Sequence, residues 1–109
     1  MLRIVPLSTA EYVRDVLPHT ASIWSGGQSF GVNAAQFGAL CTSGFGRRRL
    51  RTLGLTHDGV LVTSCKRYQR ELRCEDRTFR AAGIGAVFTP ENARGRGYAT
   101  AFLGALLDA

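Results

Sequence analysis

Two glycines alternating with two arginines, Arg94-Gly95-Arg96-Gly97, are the residues whose types and spacing bear most directly on chemistry. The glycines carry no side chain to hold a ligand away from the backbone, and the arginines keep their charge near neutral pH. What they can do depends on the residues that follow. Tyr98, Phe102 and Leu106 recur at intervals of four, with Ala99, Leu103 and Leu107 one position round, which predicts a buried helix starting after Gly97. The first N–H groups of a helix have no partner inside it, and the helix dipole puts partial positive charge at that end. Bare amides between two guanidinium groups make an anion site, and the chemistry implied is a grip on a pyrophosphate. The alternative is a tight strand-to-helix turn whose arginines face solvent.

Upstream, Ile84, Val87 and Phe88 form a short apolar run that Pro90 ends, by removing a ladder donor and holding Thr89 extended. The unit is strand, basic glycine loop, helix. A P-loop does not fit, because it needs a lysine after its second glycine and the single lysine, Lys66, lies far upstream. A dinucleotide fold fits poorly: Thr100 stands at its third glycine, and the acid it needs about 20 residues later would fall beyond Ala109. Arg94 to Ala99 instead resembles the acetyl-coenzyme A loop of GNAT-type N-acetyltransferases, Arg/Gln-x-x-Gly-x-Gly/Ala, with Arg94, Gly97 and Ala99 in its three fixed places. Gly83-Ile84-Gly85-Ala86-Val87-Phe88-Thr89-Pro90-Glu91 resembles that family's fourth strand and its exit, and the apolar stretch after Gly97 resembles the helix that follows. The likeness is close over residues 83–109 and topological before that.

The resemblance implies an N-acetyltransferase that moves an acetyl group from the thioester of acetyl-CoA to an amine, with no metal. It further implies that Ala86, Val87 and Phe88 contact the pantetheine arm, and that Arg94, Gly95, Arg96, Gly97, Tyr98, Ala99 and Thr100 hold the pyrophosphate. Acyl transfer also needs a polarised carbonyl and a deprotonated nucleophile. In the family a main-chain amide of the fourth strand does the first. No general base is assignable: Glu71, Glu91 and His57 could act through a water, but each is more simply a solvated surface residue. The acceptor stays open among small amines, aminoglycoside-like compounds, and peptide or lysine amines. Trp24 and Phe30 fall where the family places its acceptor, though a core role is preferred for both.

The elements that must position this loop are readable in outline. Leu2 to Leu7 alternates as a strand, and Ser8 with Glu11 makes a capping box for a helix whose stripe is Tyr12, Val13, Val16 and Leu17, with Pro18 as its stop. His19 to Ser29 reads as a loop with at most one helical turn. Asn33 is placed to cap a second helix through about Cys41, which Ser43-Gly44 ends. Leu53 and Leu55, a turn at His57-Asp58-Gly59, and a long strand from Val60 form a hairpin. Strict alternation puts Val62, Ser64 and Lys66 on one face and Leu61, Thr63 and Cys65 on the other, and the polar far half should project beyond the core. A turn at Glu75-Asp76-Arg77 then returns the chain antiparallel into the binding strand.

Length and composition fit this outline. The 109 residues predict one domain, residues 1–109 being the N-terminal portion of a single GNAT N-acetyltransferase domain. The fold class is α+β: an incomplete GNAT (acyl-CoA N-acyltransferase) fold with antiparallel strands, ordered strand, two helices, three strands, helix, and without the family's C-terminal strands and helix. A fragment is therefore expected, with weak or absent activity alone and exposed apolar surface on the last helix and fourth strand. A second chain or a homo-oligomer could complete it. Apolar content of 45% and charged content of 20% exclude a disordered chain. No apolar run approaches the roughly 18 residues of a membrane span, no signal sequence is visible, and the expected location is cytoplasmic. Cys41, Cys65 and Cys74 are odd in number, without Cys-x-x-Cys, and read as buried reduced thiols. The net charge of +6, from thirteen arginines and one lysine against eight acids, suits a polyanion. An alternative function is thus a basic nucleic-acid-binding module using Arg47-Arg48-Arg49-Leu50-Arg51. That run shows neither stacking aromatics nor a groove-entering helix, so it is read as a solvated edge and nucleic acid is not the expected partner.

Overall fold

Alternating apolar residues, two hairpin turns and one helical connection build a four-stranded antiparallel sheet in the order β1-β2-β3-β4. The computed structural model describes residues 1–24 and 26–107. The strands are β1 (Leu2–Leu7), β2 (Leu50–His57), β3 (Val60–Cys74) and β4 (Arg77–Phe88). Between β1 and β2 come four helices, α1 (Thr9–Asp15), α2 (Leu17–Trp24), α3 (Phe30–Thr42) and α4 (Gly44–Arg49). A 3₁₀ turn, Glu91–Ala93, and α5 (Tyr98–Leu107) follow β4. The α+β class and the antiparallel order stand as the sequence implied, with two more helices than expected.

The helices differ for local reasons. Ser8 caps α1 as expected, its Oγ accepting from the Glu11 amide at 3.1 Å while the Glu11 carboxylate accepts from the Ser8 amide at 3.1 Å. Pro18 does not stop this helix. It is the second residue of α2, where a missing N–H costs nothing because the first turn has no intrahelical acceptors for it. The expected loop from His19 is therefore helical to Trp24, and Ser25 lies outside the described residues. Ser29, not Asn33, caps α3, accepting from the Val32 amide at 3.3 Å. Ser43 ends α3 and caps α4 through the Gly46 amide at 3.0 Å. A Cβ at Gly46 would overlap the Leu40 carbonyl oxygen, so this corner admits only glycine. Arg47, Arg48 and Arg49 consequently lie on a helix rather than on a strand edge.

Two apolar cores lie on the two faces of the sheet. On one, Leu55, Val62 and Cys65 pack with Ala93, Phe102 and Leu106, joined by Leu53, Ile84, Val87 and Tyr98. On the other, Tyr12, Val16, Leu17 and Phe37 pack with Leu7, Leu61 and Phe88. Val62 and Cys65 share a face only because strict alternation fails. Thr63 pairs with Leu55 but Leu61 with Thr56, which makes Val62 an extra, bulged residue. Gly54 leaves room for the result, since a Cβ there would stand 2.5 Å from Leu61 Cδ1.

The outer part of the β3–β4 hairpin, from Gln69 to Arg80, is exposed throughout and projects as expected. Of the thiols, only Cys65 is buried; Cys41 is half-buried and Cys74 exposed, and all three are free. Burial pushes the Cys65 thiol up to about 11, which keeps it protonated and inert at neutral pH. Trp24 and Phe30 are not in the core: they are 53% and 45% exposed. In α5, Phe102 and Leu106 are buried, while Leu107 is 77% exposed.

Candidate functional site

The site begins at a second bulge. Ser64 pairs with Phe88 and Lys66 with Gly85, so β4 spends one residue more than β3 between these rungs, and Ala86 takes φ +51°. A left-handed alanine costs about 1 kcal/mol, a strain the flanking rungs hold in place. Past it, Val87 packs toward α5 and Phe88 toward α1. The outer edge of β4 has no strand beside it among the described residues.

The exit from β4 is tied down by side chains. Buried Thr63 donates from Oγ1 to the Phe88 carbonyl at 3.0 Å, Thr89 Oγ1 bonds Thr63 Oγ1 at 3.1 Å, and Arg94 Nε donates to the Thr89 carbonyl at 2.9 Å. The Arg94 guanidinium carbon stands 6.0 Å from the centroid of the Phe88 ring. Arg94 therefore shapes the loop as well as charging it, a dual role that the sequence does not reveal. Thr63 and Thr89 were not singled out from the sequence, because a threonine on a strand carries no signal of its own.

The loop then turns through Gly95 and Gly97, both at φ +77°, a conformation that resists any residue with a Cβ. A Cβ built on either would meet nothing within 4 Å, so the space beside these backbones is open. Ala101 makes the first intrahelical bond of α5, to the Gly97 carbonyl at 3.0 Å, which leaves the amides of Tyr98, Ala99 and Thr100 without a helical acceptor. No acidic residue in the first turn competes for them. Thr89, Arg94, Gly95, Gly97, Tyr98, Ala99 and Thr100 line one cavity of about 290 Å³; Arg96 is exposed and does not line it.

Arg94 also borders a larger cavity of about 590 Å³ formed by His19, Ile23, Phe88, Pro90, Glu91 and Asn92. The His19 ring stacks on Phe88, with centroids 6.0 Å apart and planes 15° from parallel. Of the three possible bases, Glu91 is thus brought to the β4 exit. His57, at the β2–β3 turn, reaches the start of α5 instead, its Nδ1 lying 3.0 Å from the hydroxyl of Tyr98. Glu71 pairs with Arg80, six residues before Ala86, or about 20 Å away along the strand. His19 is the group that sequence reasoning missed, since only the α2 helix that replaces the expected loop carries it to this cavity.

Trp24 lines a third cavity, of about 190 Å³, with Asn33, Gln36, Phe37 and Lys66. The Lys66 ammonium lies 4.8 Å from the Phe37 ring centroid and 5.6 Å from that of Tyr12, and burial pulls its pKa below the usual lysine range. Burial likewise raises the Tyr12 phenol to about 12. Among the described residues no cluster of His, Cys, Asp or Glu could hold a metal ion.

A family profile described as an acetyltransferase (GNAT) domain matches residues 25–109. The chain belongs to the GNAT acetyltransferase family. Over 63 residues it is 36% identical to a lysine acetyltransferase of Yarrowia lipolytica, a match covering 52% of this chain and 16% of that protein, so the chain spans about a sixth of this relative's length. A solved structure of the ribosomal-protein-alanine N-acetyltransferase from Brucella melitensis biovar Abortus 2308 superimposes with a TM-score of 0.66 at 22% identity, over 99% of this chain and 70% of that one. An aminoglycoside N-acetyltransferase in complex with CoA gives 0.67 at 14% identity, over 99% and 68%. At these identities the likeness is one of fold. The GNAT family uses acetyl-CoA as acyl donor and amines as acceptors.

Proposed function

We propose that this chain holds acetyl-CoA at the β4–α5 corner and serves in acetyl transfer from the thioester to an amine. The observation that carries the reading is the group of three helix-start amides, Tyr98, Ala99 and Thr100, beside two left-handed glycines and flanked by Arg94 and Arg96. Such a corner fits a pyrophosphate: the amides donate to its oxygens, the dipole favours its charge, and the guanidinium groups neutralise it.

The backbone of Ala86, Val87 and Phe88, on the open edge of β4, is offered to the amides of a pantetheine arm. The bulge at Ala86 breaks the regular spacing there and frees main-chain groups to polarise a carbonyl. Bound acetyl-CoA supplies an acetyl group activated as a thioester. His19 and Glu91 face the cavity at the strand exit and are the proposed acceptors for the proton that an incoming ammonium must lose. The acceptor class is an amine, with small amines, aminoglycosides, and peptide or lysine amines all compatible with an open cavity.

Thermal melting with acetyl-CoA tests the reading. A ligand at 100 times its Kd stabilises the folded chain by about 2.7 kcal/mol, so Tm should rise with acetyl-CoA and stay flat in Gly97→Glu, which places a carboxylate in the anion site. An equal rise in both proteins would refute the proposed corner.

A further inference from the structure

Residues 47–51 and 66–80 hold ten of the fourteen Lys and Arg side chains and three of the eight Asp and Glu, a balance of +7. The rest of the chain holds four cations and five acids, a balance of −1. All of the net positive charge therefore lies in two segments. The fold joins them, since Leu50 pairs with Tyr68 and Arg51 with Arg67, setting α4 against the root of the β3–β4 arm.

At that junction Arg48, Arg49, Arg70 and Arg80 line a groove of about 350 Å³ with Gln69 and Glu71. Among the described residues the ion pairs are Met1–Asp58, Arg14–Asp15 and His57–Asp58, so none of these guanidinium groups is paired. Four like charges around one carboxylate repel one another, and an anion in the groove relieves that repulsion. The planar groups needed for stacking are also here. The Arg70 guanidinium carbon stands 5.5 Å from the ring centroid of Phe45 and 5.9 Å from that of Tyr68. Phe45 also lines an adjoining cavity of about 350 Å³ with Arg49, Gln69, Arg70, Glu71 and Leu72. Phe45 and Tyr68 are too far apart in sequence to be read as one surface, and the fold brings both to Arg70.

We infer that the groove between α4 and the β3–β4 arm binds a single-stranded polynucleotide. Its phosphates meet Arg48, Arg49 and Arg80, and its bases stack on Phe45, Tyr68 and the Arg70 plane. The near-exclusive use of arginine suits phosphate and base stacking together better than it suits the carboxylates of an acidic peptide, which offer no flat faces. This surface shares no residue with the β4–α5 corner and does not rest on acetyl-CoA binding there.

The test is fluorescence anisotropy with three labelled probes of matched length: a twelve-nucleotide oligouridylate, a twelve-base-pair duplex and an oligoglutamate peptide. The single strand should bind most tightly. With three phosphate contacts its affinity should fall roughly 20-fold between 50 and 200 mM salt, from a slope of about −0.7 per contact. Arg48→Ala with Arg80→Ala should weaken it at least tenfold and lower the slope magnitude by about 1.4, while Phe45→Leu, which keeps an apolar side chain but removes the flat face, weakens it about fivefold or more. Both variants should keep the wild-type melting temperature and acetyl-CoA response. No binding of the single strand at 50 mM salt, or duplex or oligoglutamate binding as tight as the single strand, would overturn the inference. These wild-type outcomes decide the matter even where a variant folds poorly.

Discussion

The two ends of β4 present positive charge in opposite ways. Near Ala86 to Phe88 the strand runs between two packed faces into a loop of left-handed glycines and helix-start amides, with Arg94 and Arg96 in the same stretch. At Arg77 to Arg80 the same strand is exposed, and charge is presented by side chains drawn from α4, β3 and β4. A main-chain site is compact and sets one geometry. A side-chain site is broad and tolerates sequence variety in its ligand.

Deleting an aromatic ring at each end should separate the two regions most sharply. Phe102, fully buried under the binding strand, should cost about 3–5 kcal/mol as Phe102→Ala, read by urea unfolding. Phe79→Ala in the arm should change stability by no more than about 0.5 kcal/mol. Equal losses would mean that the arm is part of the core.

Raising the pH should also strike the packed region. Cys65 and Tyr12 are pushed up by burial to about 11 and 12, so the folded chain keeps protons that the unfolded chain releases nearer 9 and 10. Stability must then fall as the pH rises from about 9 to 12, by about 2–3 kcal/mol from Cys65 alone at 1.36 kcal/mol per unit. Lys66, whose charged form burial disfavours, works the other way and softens the fall. Cys65→Ala should flatten the profile between pH 9 and 11; an unchanged profile would remove Cys65 as its cause.

Smaller effects sharpen the contrast. Arg94→Gln keeps a side chain that can still reach the Thr89 carbonyl but loses the charge, and should weaken acetyl-CoA binding about tenfold with little change in melting temperature. Ellman's reagent should label exposed Cys74 in the arm at once and reach Cys65 only on unfolding. Fast labelling of all three thiols would contradict the packing described for β3.

How legible each region was follows from how it is built. The corner could be read because its determinants are contiguous: Pro90 ends the strand, Gly95 and Gly97 make the turn, and the Tyr98-Phe102-Leu106 stripe starts the helix. The Ser8–Glu11 box and the Asp58-Gly59 turn were legible for the same reason. The bulges at Val62 and Ala86 were not, because an extra residue shows only when two strands are paired, and strict alternation sent Cys65 and Val62 to opposite faces. Pro18 misled because proline ends one helix and begins another with the same residue, and the choice depends on α2 docking over Phe88. His19 and the arginine groove were hidden together with that docking and with the placing of α4 against β3.

Amide chemical shifts of the ¹⁵N-labelled chain during titration with CoA give the most direct test of the corner. The account predicts that the Tyr98, Ala99 and Thr100 amides move furthest as they donate to phosphate oxygens, while Gln69 to Arg80 stay still. CoA binding that left those three amides unmoved would contradict it.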